Sequence, residues 1–61
     1  MIGFDFDAFG REKRISISGL AGKLKKSYIS IYNIWKRRTV KPELLKDMEN
    51  KFGVLSKYII K

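Results

Sequence analysis

Two apolar stripes at helical spacing, separated by "KKSYIS", constrain this chain more than any other feature. Ile17, Leu20, Ala21 and Leu24 fall at i, i+3, i+4 and i+7. Ile31, Ile34 and Trp35 follow at i, i+3 and i+4. The second stripe lies in "SYISIYNIWKRR", residues 27–38, whose Tyr, Ile and Trp residues favour strands. A strand starting at Ile29 would put Ile29, Ile31, Asn33 and Trp35 on one face and Ser30, Tyr32 and Ile34 on the other. It would bury Asn33 and split the isoleucines. A helix gathers the isoleucines and leaves Asn33 outside. Propensity is the weaker signal, so the stretch reads as a helix.

The flanking signals fit a helical chain. Ser16 is the expected N-cap of the first stripe, with Ser18 as a second candidate, and Ser27 caps the next helix. Gly19 and Gly22 weaken the first helix by propensity, so it leans on packing or on a close backbone approach. Residues 4–14 read as an earlier helix, with Phe6 and Phe9 on one face and Phe4 stapling its start. Acids lead that segment and cations end it, as the macrodipole favours; Gly10 weakens it. Residues 39–41 form a short connection. Pro42 and Glu43 then suit the start of a helix. Leu44, Leu45, Met48 and Phe52 supply its core face, and Gly53 ends it. Trp35 and Phe52 read as core, and Glu43, Asp47 and Glu49 as solvated helix acids. "VLSKYIIK", residues 54–61, is a last helical turn or a strand. The expected fold is all-α: one domain over residues 1–61, a compact bundle of four to five helices with a short C-terminal helix or strand.

With 61 residues, the chain is near the size where a single core is only marginally sufficient. It contains no Cys and no His, which excludes disulfides, thiolate zinc sites and histidine chemistry. Six scattered carboxylates make no enzyme site. We therefore expect no enzymatic activity, no cofactor and no metal. No apolar run approaches the roughly 18 to 20 residues of a membrane span, and "MIGFDFDAF" carries acids where a secretory signal has a basic start. A soluble, cytoplasmic protein is expected, with no membrane partner.

Charge placement narrows the partner. Residues 11–41 hold ten of the fourteen basic residues and a single acid, Glu12. The rest of the chain holds four basic and five acidic residues, so the whole +8 surplus belongs to the centre. A one-sign block of this kind points to a polyanion, and nucleic acid is the leading partner.

A basic helix, tight turn and helix within a small helical domain is the plan of the helix-turn-helix proteins, with the motif here at about residues 16–37. Over residues 15–54 the chain resembles the Cro and lambda-repressor-like class in particular. Leu20-Ala21 matches that class's Leu-Ala in the first motif helix, Leu24 its Leu under the turn, and Ile31 its core Ile in the recognition helix. Trp35 with Pro42 matches its Trp, basic loop and Pro, and Leu44 to Val54 its Leu-rich helix ending in Gly-Val. Phe9-Gly10 is similar to a dipeptide of the small Cro proteins. Two departures stand out. Lys25 and Lys26 occupy turn positions that usually hold Gly and an apolar residue. The spacing from Leu24 to Trp35 is also one residue longer than usual. Either Ile34 takes the core place of the family's Trp, or the turn is one residue longer. The first option exposes Ser27, Tyr28, Ile29, Tyr32, Asn33 and Lys36, and is favoured because Ile31 and Ile34 both stay buried. The second shifts the face by about one residue, with Ser30 and Asn33 leading.

The resemblance implies a sequence-specific double-stranded DNA-binding repressor, with residues 27–37 entering the major groove of a palindromic operator. Asn33 suits adenine N6 and N7, and Ile29 a thymine methyl. Tyr28 and Tyr32 reach base or phosphate through their hydroxyls. Lys36 closes the base-facing set that Ser27 opens. Ser16, Lys25, Lys26, Arg37, Arg38 and Lys41 are the phosphate contacts. A homodimer, free or formed only on DNA, would supply the second half-site, with Val54, Leu55, Tyr58, Ile59 and Ile60 as its contact. The alternative is a small helix-turn-helix adaptor that binds and modulates another repressor or RNA polymerase.

Overall fold

The computed structural model describes residues 1–60. In chain order they form β1 (Ile2–Phe4), α1 (Phe6–Lys13), α2 (Ile17–Leu24), α3 (Tyr28–Arg37), β2 (Thr39–Val40), α4 (Pro42–Phe52), a 3-10 turn (Ser56–Tyr58) and β3 (Ile59–Ile60). Three helices begin on a side-chain cap. Asp5 accepts from the Ala8 N–H at 3.1 Å, Ser16 from Gly19 at 3.1 Å and Ser27 from Ser30 at 3.2 Å. α4 begins on Pro42, whose missing N–H costs nothing in a first turn.

The helix ends share a less common device. Arg14, Lys25 and Arg38, which terminate α1, α2 and α3, all adopt the left-handed conformation, with φ of 54°, 56° and 56°. Glycine favours that conformation; a side chain there costs on the order of 1 kcal/mol or more. All three are cations at helix C-termini, where the macrodipole offsets part of the cost. Lys25 thus makes, with a side chain, a left-handed turn that glycine would make without strain.

The expectation of an all-α domain is corrected by the strands. β1 is the middle of a three-stranded antiparallel sheet of order β2-β1-β3. Ile2 pairs with Val40 and Gly3 with Thr39 on one side; Gly3 pairs with Ile60 and Phe4 with Ile59 on the other. The protein is a small α+β fold. The N-terminal segment assigned to a helix from residue 4 is strand through Phe4, and Asp5 is the cap. Phe4 therefore staples nothing; it is a fully buried strand residue. The connection at Thr39–Val40 is the second strand. Gly3 has a specific task, since a Cβ there would lie 3.1 Å from the Ile60 carbonyl oxygen and 3.2 Å from its Cβ.

The core is largely aromatic. Phe4 sits 4.7 Å from Phe6, 5.6 Å from Phe9 and 5.8 Å from Tyr58, centroid to centroid. Phe52 and Tyr58 meet Phe9 edge-on at 5.3 and 5.6 Å. Leu20, Ala21, Leu24, Ile31, Val40, Leu45, Met48 and Leu55 complete it. Leu44 and Phe52, expected on the same α4 face as Leu45 and Met48, pack half-buried at its margin. Leu55 and Tyr58, expected in a dimer contact, fill the chain's own core instead. Tyr58 packs against Phe9 of α1 and Phe4 of β1, while Val54 and Ile60 stay exposed and Ile59 is half-buried.

Candidate nucleic-acid interface

α3 is anchored by Ile31, which is 1% exposed. Ile34 and Trp35 lie half-buried on either side of it. The Trp35 ring stacks on Phe6 at 5.1 Å and 25°. Ile34 faces α4 across a shallow cleft shared with Leu44. The turn from α2 to α3 comprises Lys25, Lys26 and Ser27. Ile34 and Trp35 thus share the flanking positions, and neither displaces the other from the core.

Ser27, Tyr28, Ile29, Tyr32, Asn33 and Lys36 are all exposed. Ile29 is 69% exposed, Tyr28 52% and Tyr32 40%. The tyrosine rings stack at 6.1 Å and 22°, and the Lys36 ammonium lies 5.7 Å from the Tyr32 centroid. Tyr28, Tyr32 and Lys36 form one ladder along a flank of α3, at i, i+4 and i+8. Ser30 is exposed too, but its hydroxyl accepts from the Ser27 hydroxyl at 2.8 Å, which ties it to the cap.

The expected phosphate contacts divide into four groups. Lys25 and Lys26 are exposed in the turn before α3, and Arg37 is exposed at its last residue. Ser16 is exposed at the start of α2, its oxygen occupied by the Gly19 N–H and its own proton left to donate. Lys41 precedes α4 and shares the Ile34–Leu44 cleft with Lys26, Glu43 and Asp47, so the charge there is mixed. Arg38 stands apart. Its Nη2 donates to Asp7 Oδ2 at 2.8 Å, with both side chains more than half exposed. Its carbonyl accepts from the Phe4 N–H at 2.8 Å. Arg38 joins α3 to α1 and β1 and is not an unencumbered clamp. That tie escapes sequence reading because Asp7 and Arg38 are far apart in the chain.

A second long-range cluster lies at the opposite end of the chain. Glu12 accepts from the Tyr58 hydroxyl at 2.8 Å and pairs with Lys57 at 2.7 Å. Hydrogen bonds from Lys57 and then Tyr58 hold the Glu12 carboxyl below the ordinary carboxylate range. The hydrogen bond to Glu12 pushes Lys57 up. Burial, followed by the bond to Glu12, pushes the Tyr58 phenol up. The cluster fastens the C-terminal segment to α1.

Among the described residues no group of His, Cys, Asp and Glu could hold a metal ion. No helix among them is long and apolar enough to cross a membrane. Comparison of the chain with protein-family models, with curated proteins and with solved structures gave no match.

Proposed function

We propose that the protein is a sequence-specific double-stranded DNA-binding regulator of the Cro and lambda-repressor-like kind, acting as a repressor with α3 in the major groove. The outward face of α3 carries this reading. Ile31 holds the helix from below, while Tyr28, Ile29, Tyr32, Asn33 and Lys36 point away from the core. Lys25 and Lys26 at one end and Arg37 at the other bracket that face with charge suited to phosphates. A domain of this size gains tight, specific binding by pairing two copies on a two-fold operator. Val54 and the edge strand β3, with its half-exposed Ile60, are what remains of the C-terminal segment for such a contact.

The test is a mobility shift on duplexes enriched from a random pool, with excess random DNA as competitor. A retarded complex that survives competition is expected from the protein alone. The exposed Ile29 supports a second reading, the adaptor that docks α3 on another regulator or on polymerase. A shift seen only after a partner protein is added would replace the first reading with the second.

A further inference from the structure

Resting on the duplex-DNA reading above, we infer that α3 reads A·T base pairs through thymine methyl groups, so that its operators are A·T-rich where α3 touches them. Recognition helices of this motif meet base edges with their N-terminal residues. Through Asn33, α3 presents Tyr28, Ile29, Ser30, Tyr32 and Asn33 on its outward side, with no Arg, Lys, Gln, Asp or Glu. Guanine offers two acceptors in the major groove, served by Arg or Lys; cytosine offers a donor, served by a carboxylate. Neither type is present there.

The nearby cations lie outside that stretch. Lys36 follows it, 5.7 Å from the Tyr32 ring centroid, and Arg38 is paired with Asp7. Arg37 is the last residue of α3, while Lys25 and Lys26 precede it. Ser30 accepts from the Ser27 hydroxyl and keeps one proton to donate, a single bond that does not match the paired acceptors of guanine as an Arg fork does.

What the face does offer is apolar surface beside one amide. Ile29, more than two-thirds exposed, lies one turn before Asn33 on the same side of the helix. Against a G·C edge, Ile29 would strip water from polar atoms and return no hydrogen bond, which is costly. Against a thymine methyl it buries apolar surface on both sides. Asn33 can then take adenine N6 and N7 on a neighbouring pair. The Tyr28–Tyr32 stack flanks Ile29 with a second apolar strip whose rings are ordered before binding.

Parallel selections from random duplex pools test this, one pool made with thymine and the other with deoxyuridine in its place. The thymine pool should yield an A·T-rich consensus. Replacing thymine by deoxyuridine in that consensus should weaken binding about fourfold per contacted methyl. Ile29→Ala, a change at an exposed position, should shrink that difference. The substitution keeps base pairing, so A·T preference arising from groove shape alone would leave the affinity unchanged. A G·C-rich consensus, or equal affinity for the two duplexes, overturns the inference while leaving duplex binding intact. Absence of enrichment from both pools removes the duplex reading, and the inference with it.

Discussion

Replacing Gly10 by Ala should destabilise the protein even though it improves a helix. In an open helix interior the change gains up to about 1 kcal/mol. At Gly10 the new Cβ would sit 2.8 Å from Trp35 Cζ2, 2.9 Å from Cη2 and 3.0 Å from the Ile15 carbonyl oxygen. Ordinary carbon contacts lie at about 3.5–4.0 Å, so a shift of several tenths of an ångström is forced. A swing of the Trp35 ring would break its stack on Phe6, and the Ile15 oxygen is backbone. Overpacking of this kind costs about 1–3 kcal/mol. The net expectation is a loss of about 1 kcal/mol, or a Tm lower by roughly 4–8 °C for a domain of this size. Gly22→Ala is the matched control: nothing lies within 4 Å of its added Cβ, so stability should rise by up to about 1 kcal/mol. Thermal unfolding followed by circular dichroism measures both. The chain has one Trp, so its fluorescence reports the displacement at Trp35 directly. In a double-mutant cycle, Gly10→Ala should cost less beside Trp35→Phe than alone. A Gly10→Ala protein as stable as the parent, with unchanged emission, would refute the reasoning.

Other expectations concern charge. With Lys25, Lys26, Arg37 and Lys41 on phosphates, the log–log slope of DNA affinity against salt should be about −4. Alanine at Lys25 or Lys26 should reduce its magnitude by about one in a fluorescence-anisotropy titration, and a slope near zero would remove the electrostatic footprint. Lys25→Gly should separate two roles, raising stability by roughly 1 kcal/mol through the relieved left-handed turn while weakening DNA binding; calorimetry and anisotropy on one sample measure both. The lowered Glu12 pKa means its stabilising contribution is present above the unfolded-state carboxylate value and is lost as pH falls through the folded one. The raised Lys57 and Tyr58 values act oppositely, contributing below their unfolded values and fading as pH rises through the folded ones. Glu12→Gln should therefore flatten the acid limb of a Tm-against-pH curve, and an unchanged limb would show that the cluster carries no linkage.

The helices were legible because each shows several residues of one period. The Ile17–Leu24 stripe, with Ser16 before it, specifies α2 almost by itself. In α3 the spacing of Ile31, Ile34 and Trp35 outweighs a composition that favours a strand, because burial follows periodicity. The sheet was not legible. Its strands are two or three residues long, too short to show alternation, and Gly3 finds its partners at Thr39 and Ile60. The same distance hid the end of the chain. "VLSKYIIK" looks like a surface in search of a partner until Phe9 and β1 are known to receive Tyr58 and Ile59. The exposed face of α3 was readable from helical spacing. Which cations remain free was not, since Arg38 is claimed by a residue 31 positions earlier.

The central strand also sets an order of assembly. β1 is synthesised before both of its partners, so it can form no strand pair until residues 39–40 and then 59–60 exist. While the chain grows, Phe4 and Ile2 wait as exposed apolar side chains. The α2–α3 pair, whose contacts are local, can meanwhile come together by itself. Closure by contacts of such long sequence separation is slow compared with local helix pairing. A nascent chain would thus hold α3 on a half-built platform, completed only when β3 arrives to pair with β1.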